Sequence, residues 1–526
     1  MPYQASIKES KFYIVIPLVF ATIYTLGYID TSNFSHKFFH DDSYYYFKIA
    51  QNFIETSEFT FDSINKTNGF HILWLLVLIL FGFIFKFFTN SYLDISQIAV
   101  LIQIILISLS IRNINSSYSK TFSDKLIVFS VHLMFLPFFL NGMETALIIY
   151  LLNIYIQRLF LSKESKKNYL LILLIFLTRY DAVVVVFFIS LYNAYKTKEK
   201  EPLKQYFLVF VLFVALIVGF NISTGVGLDN LSTSSSVKSY WNELDNEEKL
   251  SSCDLENINC NLFLLKQKIE FVPVYMSNVN KLVFSVAEYT SAYNSYGEIP
   301  GDVPERRSIS LLIIILSIVA FNLIRKNKIE KSDLNVLWFI SVAHLTLLSL
   351  NSHMFPIHDW YNYFLVSVLV FTLIEILLVQ KVALKILFLL LIFVNTYIYV
   401  SSPPSEWSKA YSSAANYLNS YENVTTGTWA AGHIGYYSSN PVVNLEGLVA
   451  SNEIIELNKA DKIDVYILEN INFIVTNFNP FVENSSRWWL DLRVDPLSRI
   501  QNNLKIIKTI KGSDENYTIY IFEVTN

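Results

Sequence analysis

Two adjacent carboxylates, Asp41 and Asp42, stand in the segment H-D-D-S-Y-Y-Y-F-K-I-A at 40–50, which is followed by T-N-G-F-H at 67–71. A carboxylate within reach of a hydroxyl can take its proton as general base. Adjacent carboxylates just after an apolar run are costly unless they are solvated, paired or metal-bound. The stretch 43–53 alternates aromatic and polar residues, a pattern that suits a helix lying along a membrane interface. Asp41 and Asp42 then fall at its N-terminus, where negative charge is favoured. Two readings stand side by side: the pair caps the helix, or one member does chemistry.

Other groups capable of chemistry are Glu144 in N-G-M-E, the Arg179/Asp181 pair in T-R-Y-D, Lys238 in S-V-K-S, and the cluster His353, His358, Asp359, Trp360 and Tyr361. Arg179 and Asp181 can equally neutralise each other at a turn. Two histidines five apart could bind a metal or a phosphate, or simply be solvated. Glu375 lies inside an apolar run, where snorkelling or a helix contact accounts for it. Cys253 and Cys260 are the only cysteines. Their spacing is no metal signature, so they form a disulfide if outside the cell or stay as two thiols. No phosphate-cradling glycine loop, G-x-S-x-G or H-E-x-x-H is present.

The elements that must position these groups follow from composition. The 526 residues are 53% hydrophobic and 16% charged, with a net charge of −4 and a mean hydropathy of +0.39. Soluble chains carry about 25% charged residues, so an ordinary cytosolic enzyme is excluded, as is a nucleic-acid binder with its clustered basic charge. Apolar runs near 12–29, 70–88, 92–111, 143–161, 205–222, 308–324, 334–350, 361–379 and 382–400 are long enough to span a bilayer. Two shorter arms, 169–178 and 182–194, flank Arg179-Tyr180-Asp181, giving about 11 spans in all. The piece 123–140, interrupted by Pro137, is expected as a re-entrant or partial helix.

Lysine and arginine cluster in the loops 158–168, 196–204 and 325–331, which the positive-inside rule places in the cytoplasm. The segments 30–69, 223–307, 351–360 and 401–526 are then outside. After Pro403-Pro404 the chain turns polar, with a helix-like stretch at 406–419 and strand-like runs at 442–445, 473–476 and 519–524. The expected architecture is a polytopic α-helical membrane protein over 1–400, followed by a small extracytoplasmic α/β domain over 401–526.

The segments D-D-S-Y-Y-Y-F-K-I-A-Q-N and F-D-S-I-N-K-T-N-G-F-H-I-L-W resemble the first outer loop of C-type (GT-C) membrane glycosyltransferases. N-G-M-E-T-A-L, T-R-Y-D, V-K-S, D-W-Y and G-H-I-G-Y-Y-S-S-N-P-V-V-N-L-E-G-L follow in the family's order over most of the chain. The arabinofuranosyltransferase-like and protein-mannosyltransferase-like branches are the most similar. Tyr180 stands where relatives often carry Pro, and 240–300 matches nothing in the family pattern.

The resemblance implies sugar transfer from a polyprenyl-phosphate donor to an envelope glycan, lipid or protein acceptor on the outer face of a bacterial or archaeal plasma membrane. It implies Asp42 as general base, with Asp41 as a supporting carboxylate or metal ligand. Lys238, Arg179 and His358 would help neutralise the donor phosphate, with His71, Asp181, Glu144 and Tyr361 as further substrate-binding candidates. The resemblance implies no particular cofactor and is compatible with a divalent cation. The rival classes are a transporter or flippase of lipid-linked sugars, against which no internal repeat is visible, and a non-enzymatic envelope scaffold.

Overall fold

The computed structural model describes residues 39–89, 94–119, 121–161, 168–225, 232, 329–351, 362–380, some positions within 382–392, 406–482, 496–512 and 518–525. Lys238, His353, His358, Tyr361, the two cysteines and the expected spans at 12–29 and 308–324 lie outside the described residues.

The aromatic-rich segment after His40 forms α1 (Asp41–Thr56), with both carboxylates in its first turn. It ends at Ser57, whose left-handed backbone returns an N–H to Phe53. A surface helix would show one exposed stripe, and the sequence pattern predicted one lying along an interface. Instead Tyr44, Tyr45, Tyr46, Phe47, Ile49 and Ala50 are all buried. The reason is that α1 has partners on several sides: α2 (Ile72–Thr89), α3 (Ile95–Tyr118) and the C-terminal region all pack on it.

The remaining helices follow the apolar runs. The piece expected to be partial is two helices, α4 (Phe122–Met134) and α5 (Leu136–Phe139). A capping box between Thr121 and Asp124 starts α4. Pro137 falls in the first turn of α5, where its missing N–H costs nothing. After the 141–144 loop come α6 (Thr145–Ile156), which runs on into a π-helical turn over Gln157–Leu161, and the pair α7 (Tyr169–Thr178) and α8 (Ala182–Thr197). Arg179, Tyr180 and Asp181 form the tip between those two, as expected.

The long apolar helix α9 (Glu201–Thr224) and then α10 (Lys331–Asn351) and α11 (Tyr363–Leu378) complete the bundle. Nearly every residue of α11 is buried, because it packs against α4, α6 and α10. Glu375 in α11 accepts the Ile329 N–H at 3.0 Å, so it is a buried helix contact and does not snorkel. Among the described residues, α3 and α9 are long and apolar enough to cross a membrane. Phe207, Val211 and Ile222 stand exposed along α9, the surface that a lipid-facing helix presents.

The C-terminal region folds as α12 (Glu406–Leu418), β1 (Thr426–Thr428), α13 (Ala431–Tyr437), β2 (Val442–Asn444), α14 (Asn452–Lys459), α15 (Ile463–Asn470), β3 (Phe473–Thr476), β4 (Leu504–Ile510) and β5 (Ile519–Val524). The sheet order is β2-β1-β3-β5-β4. β1 is parallel to both neighbours, whereas β5 is antiparallel to β3 and β4. Its own core gathers Trp429, Val443, Leu445, Ile454, Ile474 and Phe522. β2, β3 and β5 occupy the expected strand-like runs; β1 and β4 carried no such signal.

Candidate active site

Helical geometry separates the two carboxylates. Successive residues of an α-helix are about 100° apart, so residues four apart share a face and neighbours do not. Asp41, Tyr44, Tyr45 and Lys48 make one face, and all four meet the C-terminal region. Asp41 Oδ2 accepts the Gly432 N–H at 3.0 Å. Its Oδ1 accepts the His433 N–H at 2.9 Å and pairs with His433 Nδ1 at 2.7 Å. The Tyr44 ring lies 4.2 Å from that of His433. Tyr45 Oη accepts from the Ala431 N–H at 3.3 Å, and Lys48 Nζ donates to the Ser438 carbonyl at 3.4 Å.

Asp42 and Tyr46 make the next face. The Tyr46 hydroxyl accepts the His71 N–H at 3.2 Å and lies against Glu144. A third face, with Ser43 and Phe47, packs inward; Ser43 Oγ donates to the Asn141 carbonyl at 2.6 Å. The 141–144 loop is pinned further by Trp74 Nε1 on the Gly142 carbonyl at 3.1 Å and by Gln103 Nε2 on the Met143 carbonyl at 2.8 Å. Gly142 has φ +77°, and a Cβ there would press on Ser43 and Phe39. This loop leads directly into Glu144, which starts α6.

Glu144 belongs to a buried ionic cluster. Arg179 Nη1 donates to Glu144 Oε1 at 2.7 Å, and Arg179 Nε donates to Asp181 Oδ1 at 2.9 Å. Glu144 is 0% and Arg179 1% exposed, so both charges are withdrawn from solvent. The Tyr363 hydroxyl donates to Asp181 Oδ2 at 3.0 Å, with His344 Nε2 3.3 Å from the same oxygen. The guanidinium carbon lies 5.0 Å from the Tyr363 ring centre. His71 Nε2 is 3.8 Å from Glu144 Oε1, and its ring meets Tyr180 edge-on at 4.9 Å. Two carboxylates against one guanidinium leave one negative charge over, and two imidazoles stand within reach of it. His71 (23%) and Asp181 (20%) are the partly exposed rim of the cluster.

Of the residues expected to act together, Glu144, Arg179, Asp181 and His71 are brought into one cluster, and Asp42 lies on the helix face that leads to it. Asp41 is turned to the C-terminal region. Both of its oxygens accept hydrogen bonds there, Oδ1 from two groups of His433 and Oδ2 from Gly432. Among the described residues no group of three or more His, Cys, Asp or Glu could hold a metal ion. Arg179 was expected at the donor phosphate, but its fork is engaged by two carboxylates and buried. Those two contacts tie Glu144 to Asp181.

Sequence reasoning missed Tyr46, His344, Tyr363 and His433. Tyr46 and His433 lie inside segments that carried the resemblance, and Tyr363 is two residues beyond Tyr361. His344 had a signal of its own: an ionisable residue in an apolar run marks a functional site by default.

The electrostatics of the α1 N-terminus follow from its partners. Burial pushes the Asp41 carboxyl up, but the hydrogen bond and charge of His433 and the two helix N–H groups outweigh it. The net position is below the usual carboxylate range. Burial, with a smaller contribution from His433, lowers His40 to about 3, so its imidazole is neutral at pH 7.

No protein-family model matches the chain, and no curated protein matches it. Among solved structures it is similar to two crystal structures of ArnT from Cupriavidus metallidurans, one bound to undecaprenyl phosphate and one in the apo state. Each covers 98% of both chains at 10% identity, with TM-scores of 0.40 and 0.39. A superposition this loose carries no argument about chemistry, which rests on the residues.

Proposed function

We propose that the protein is an integral-membrane glycosyltransferase that moves a sugar from a polyprenyl-phosphate donor to an envelope glycan, lipid or protein, with Asp42 as general base. The observation that supports this most is the division of labour along α1. One carboxylate, Asp41, is consumed in packing. The other shares a face with Tyr46, which touches the buried Glu144–Arg179–Asp181 cluster. In the reaction, Asp42 takes the proton from the acceptor hydroxyl as that oxygen bonds to the anomeric carbon. The bond from that carbon to the phosphate oxygen breaks, and polyprenyl phosphate leaves with the electron pair.

Negative charge on the leaving group must be met by cations. Lys238 and His358 are our candidates for that role, with His71 at the rim of the cluster. Arg179 acts through Glu144 and Asp181, as a positioning residue. We place the 401–526 region and the site on the extracytoplasmic side, from the distribution of Lys and Arg between loops.

The test is transfer by purified protein in detergent from a radiolabelled undecaprenyl-phosphate sugar. A positioned base contributes about 10²–10⁴-fold, so Asp42→Asn should fold normally and lose at least about a hundredfold in turnover. Turnover near that of the unmodified protein would remove Asp42 from the chemistry. No transfer in detergent, with movement of the lipid-linked sugar only in vesicles carrying a transmembrane gradient, would favour a transporter instead.

A further inference from the structure

The contact between α1 and α13 is closer than ordinary helix packing because Gly432 faces it, while Gly435, one turn on, faces Phe61 in the loop after α1. A Cβ at Gly432 would collide with the Asp41 carbonyl oxygen, and one at Gly435 with the Phe61 ring. The colliding group at Gly432 is backbone, which cannot swing aside. Asp41 meanwhile closes the N-terminus of α13 with both carboxylate oxygens, satisfying the Gly432 and His433 N–H groups that no helical turn can serve.

His433 is 1% exposed and binds Asp41 a second time through Nδ1. Its ring also packs on Tyr44. Asn444 Nδ2 and the Ala431 N–H both reach the Tyr45 hydroxyl at 3.3 Å. Tyr436, from the same helix, donates to Asp94, the N-cap of α3. The contacts therefore fix α1 in rotation as well as position, and the residue whose rotation they set most directly is Asp42, one step along from Asp41.

We propose that the C-terminal α/β region is an obligatory part of the catalytic unit: Gly432 and His433 are positioning residues that act through Asp41 to fix the direction of Asp42. The inference rests on Asp42 being the base, but its structural half does not. A rotation of about 20° in α1, within the tolerance at which catalytic geometry fails, would move Asp42 off the acceptor, whereas Lys238 and His358, the candidates for the donor phosphate, are not part of α1. The loss should then fall on kcat and leave donor KM alone.

The experiment uses the full chain in detergent, with the variants His433→Ala, His433→Asn and Gly432→Ala, read by hydrogen–deuterium exchange and by transfer from whichever undecaprenyl-phosphate pentose or hexose the unmodified protein turns over. Exchange over residues 41–48 should rise at least about fivefold in His433→Ala and Gly432→Ala, with kcat down at least about tenfold and donor KM within about twofold. His433→Asn, whose amide nitrogen can take the place of Nδ1, should recover most of both. Unchanged exchange in His433→Ala overturns the proposal, as does raised exchange with undiminished kcat. If Gly432→Ala fails to fold, the two His433 variants decide alone. If Asp42→Asn proves active, the functional reading fails by itself, while the exchange result still tells whether α13 orders α1.

Discussion

Replacing Arg179 by Met tests whether the buried cluster is a structural clamp. The guanidinium lies 2.7 Å from Glu144 and 2.9 Å from Asp181, and its side chain is 1% exposed. At an effective dielectric of about 20, a unit-charge pair with centres about 4 Å apart is worth about 4 kcal/mol. Methionine has a similar reach and no charge, so both carboxylates would lose that attraction, and Glu144, at 0% exposure, has no solvent to turn to. Removing one partner of a buried pair costs about 3–5 kcal/mol. At about 2–4 °C per kcal/mol for large domains, the apparent Tm in detergent should fall on the order of 10 °C.

The double variant Arg179→Met/Glu144→Gln should recover more than half of that loss, since the stranded charge is gone and Asp181 keeps Tyr363 and His344. The measurement is thermal unfolding followed by intrinsic fluorescence. A single variant melting within a degree of the unmodified protein would refute the clamp. So would a double variant no more stable than the single one.

Tyr363→Phe should lower stability by about 1.5–3 kcal/mol, the worth of a hydrogen bond to a charged group, read in the same melts. Docking of α13 on α1 should weaken in two stages as pH falls: from about 6.5, because burial holds the folded His40 at about 3 and the unfolded chain takes up that proton first, and from about 4, where Asp41 begins to contribute. Because the folded Asp41 pKa is depressed, its contribution is present above the unfolded value of about 3.9 and is lost as pH falls through the folded one. The groups around it are His433, His40, Tyr45 and Tyr411; hydrogen exchange, corrected for its intrinsic pH dependence, should show the 41–50 segment opening progressively below about pH 6, and unchanged protection down to about pH 3 would contradict this. A C-terminal alkaline phosphatase fusion should be active and a green fluorescent protein fusion dark, the reverse pattern placing the α/β region inside. Free-thiol labelling of the unreduced, denatured protein should find no reactive cysteine if Cys253 and Cys260 are bonded.

The apolar runs and breaks along the chain determined where most helices lie. Length and hydropathy are local properties, so α2, α6, α7, α8 and the 179–181 tip could be read without knowing any contact. The same holds for the break at Pro137, since a missing N–H acts on its own turn. Strands β2, β3 and β5 have the apolar β-branched and aromatic residues that mark them, whereas Thr426–Thr428 is three residues long and becomes a strand only because β2 and β3 pair with it on either side. β4 hid behind Lys505 and Lys508, which an edge strand can leave exposed.

The sequence also showed that Asp41, Asp42, Glu144, Arg179 and Asp181 could do chemistry, but not which of them would share a site. Adjacent carboxylates look alike in a string of letters. What separates them is a turn of about 100° per residue combined with the identity of whatever packs on each face. That partner is His433, almost 400 residues away in the chain, and no local pattern encodes it. Arg179 likewise had a visible mate two residues on, and only the packing of α6 against α7 supplied the second one, Glu144.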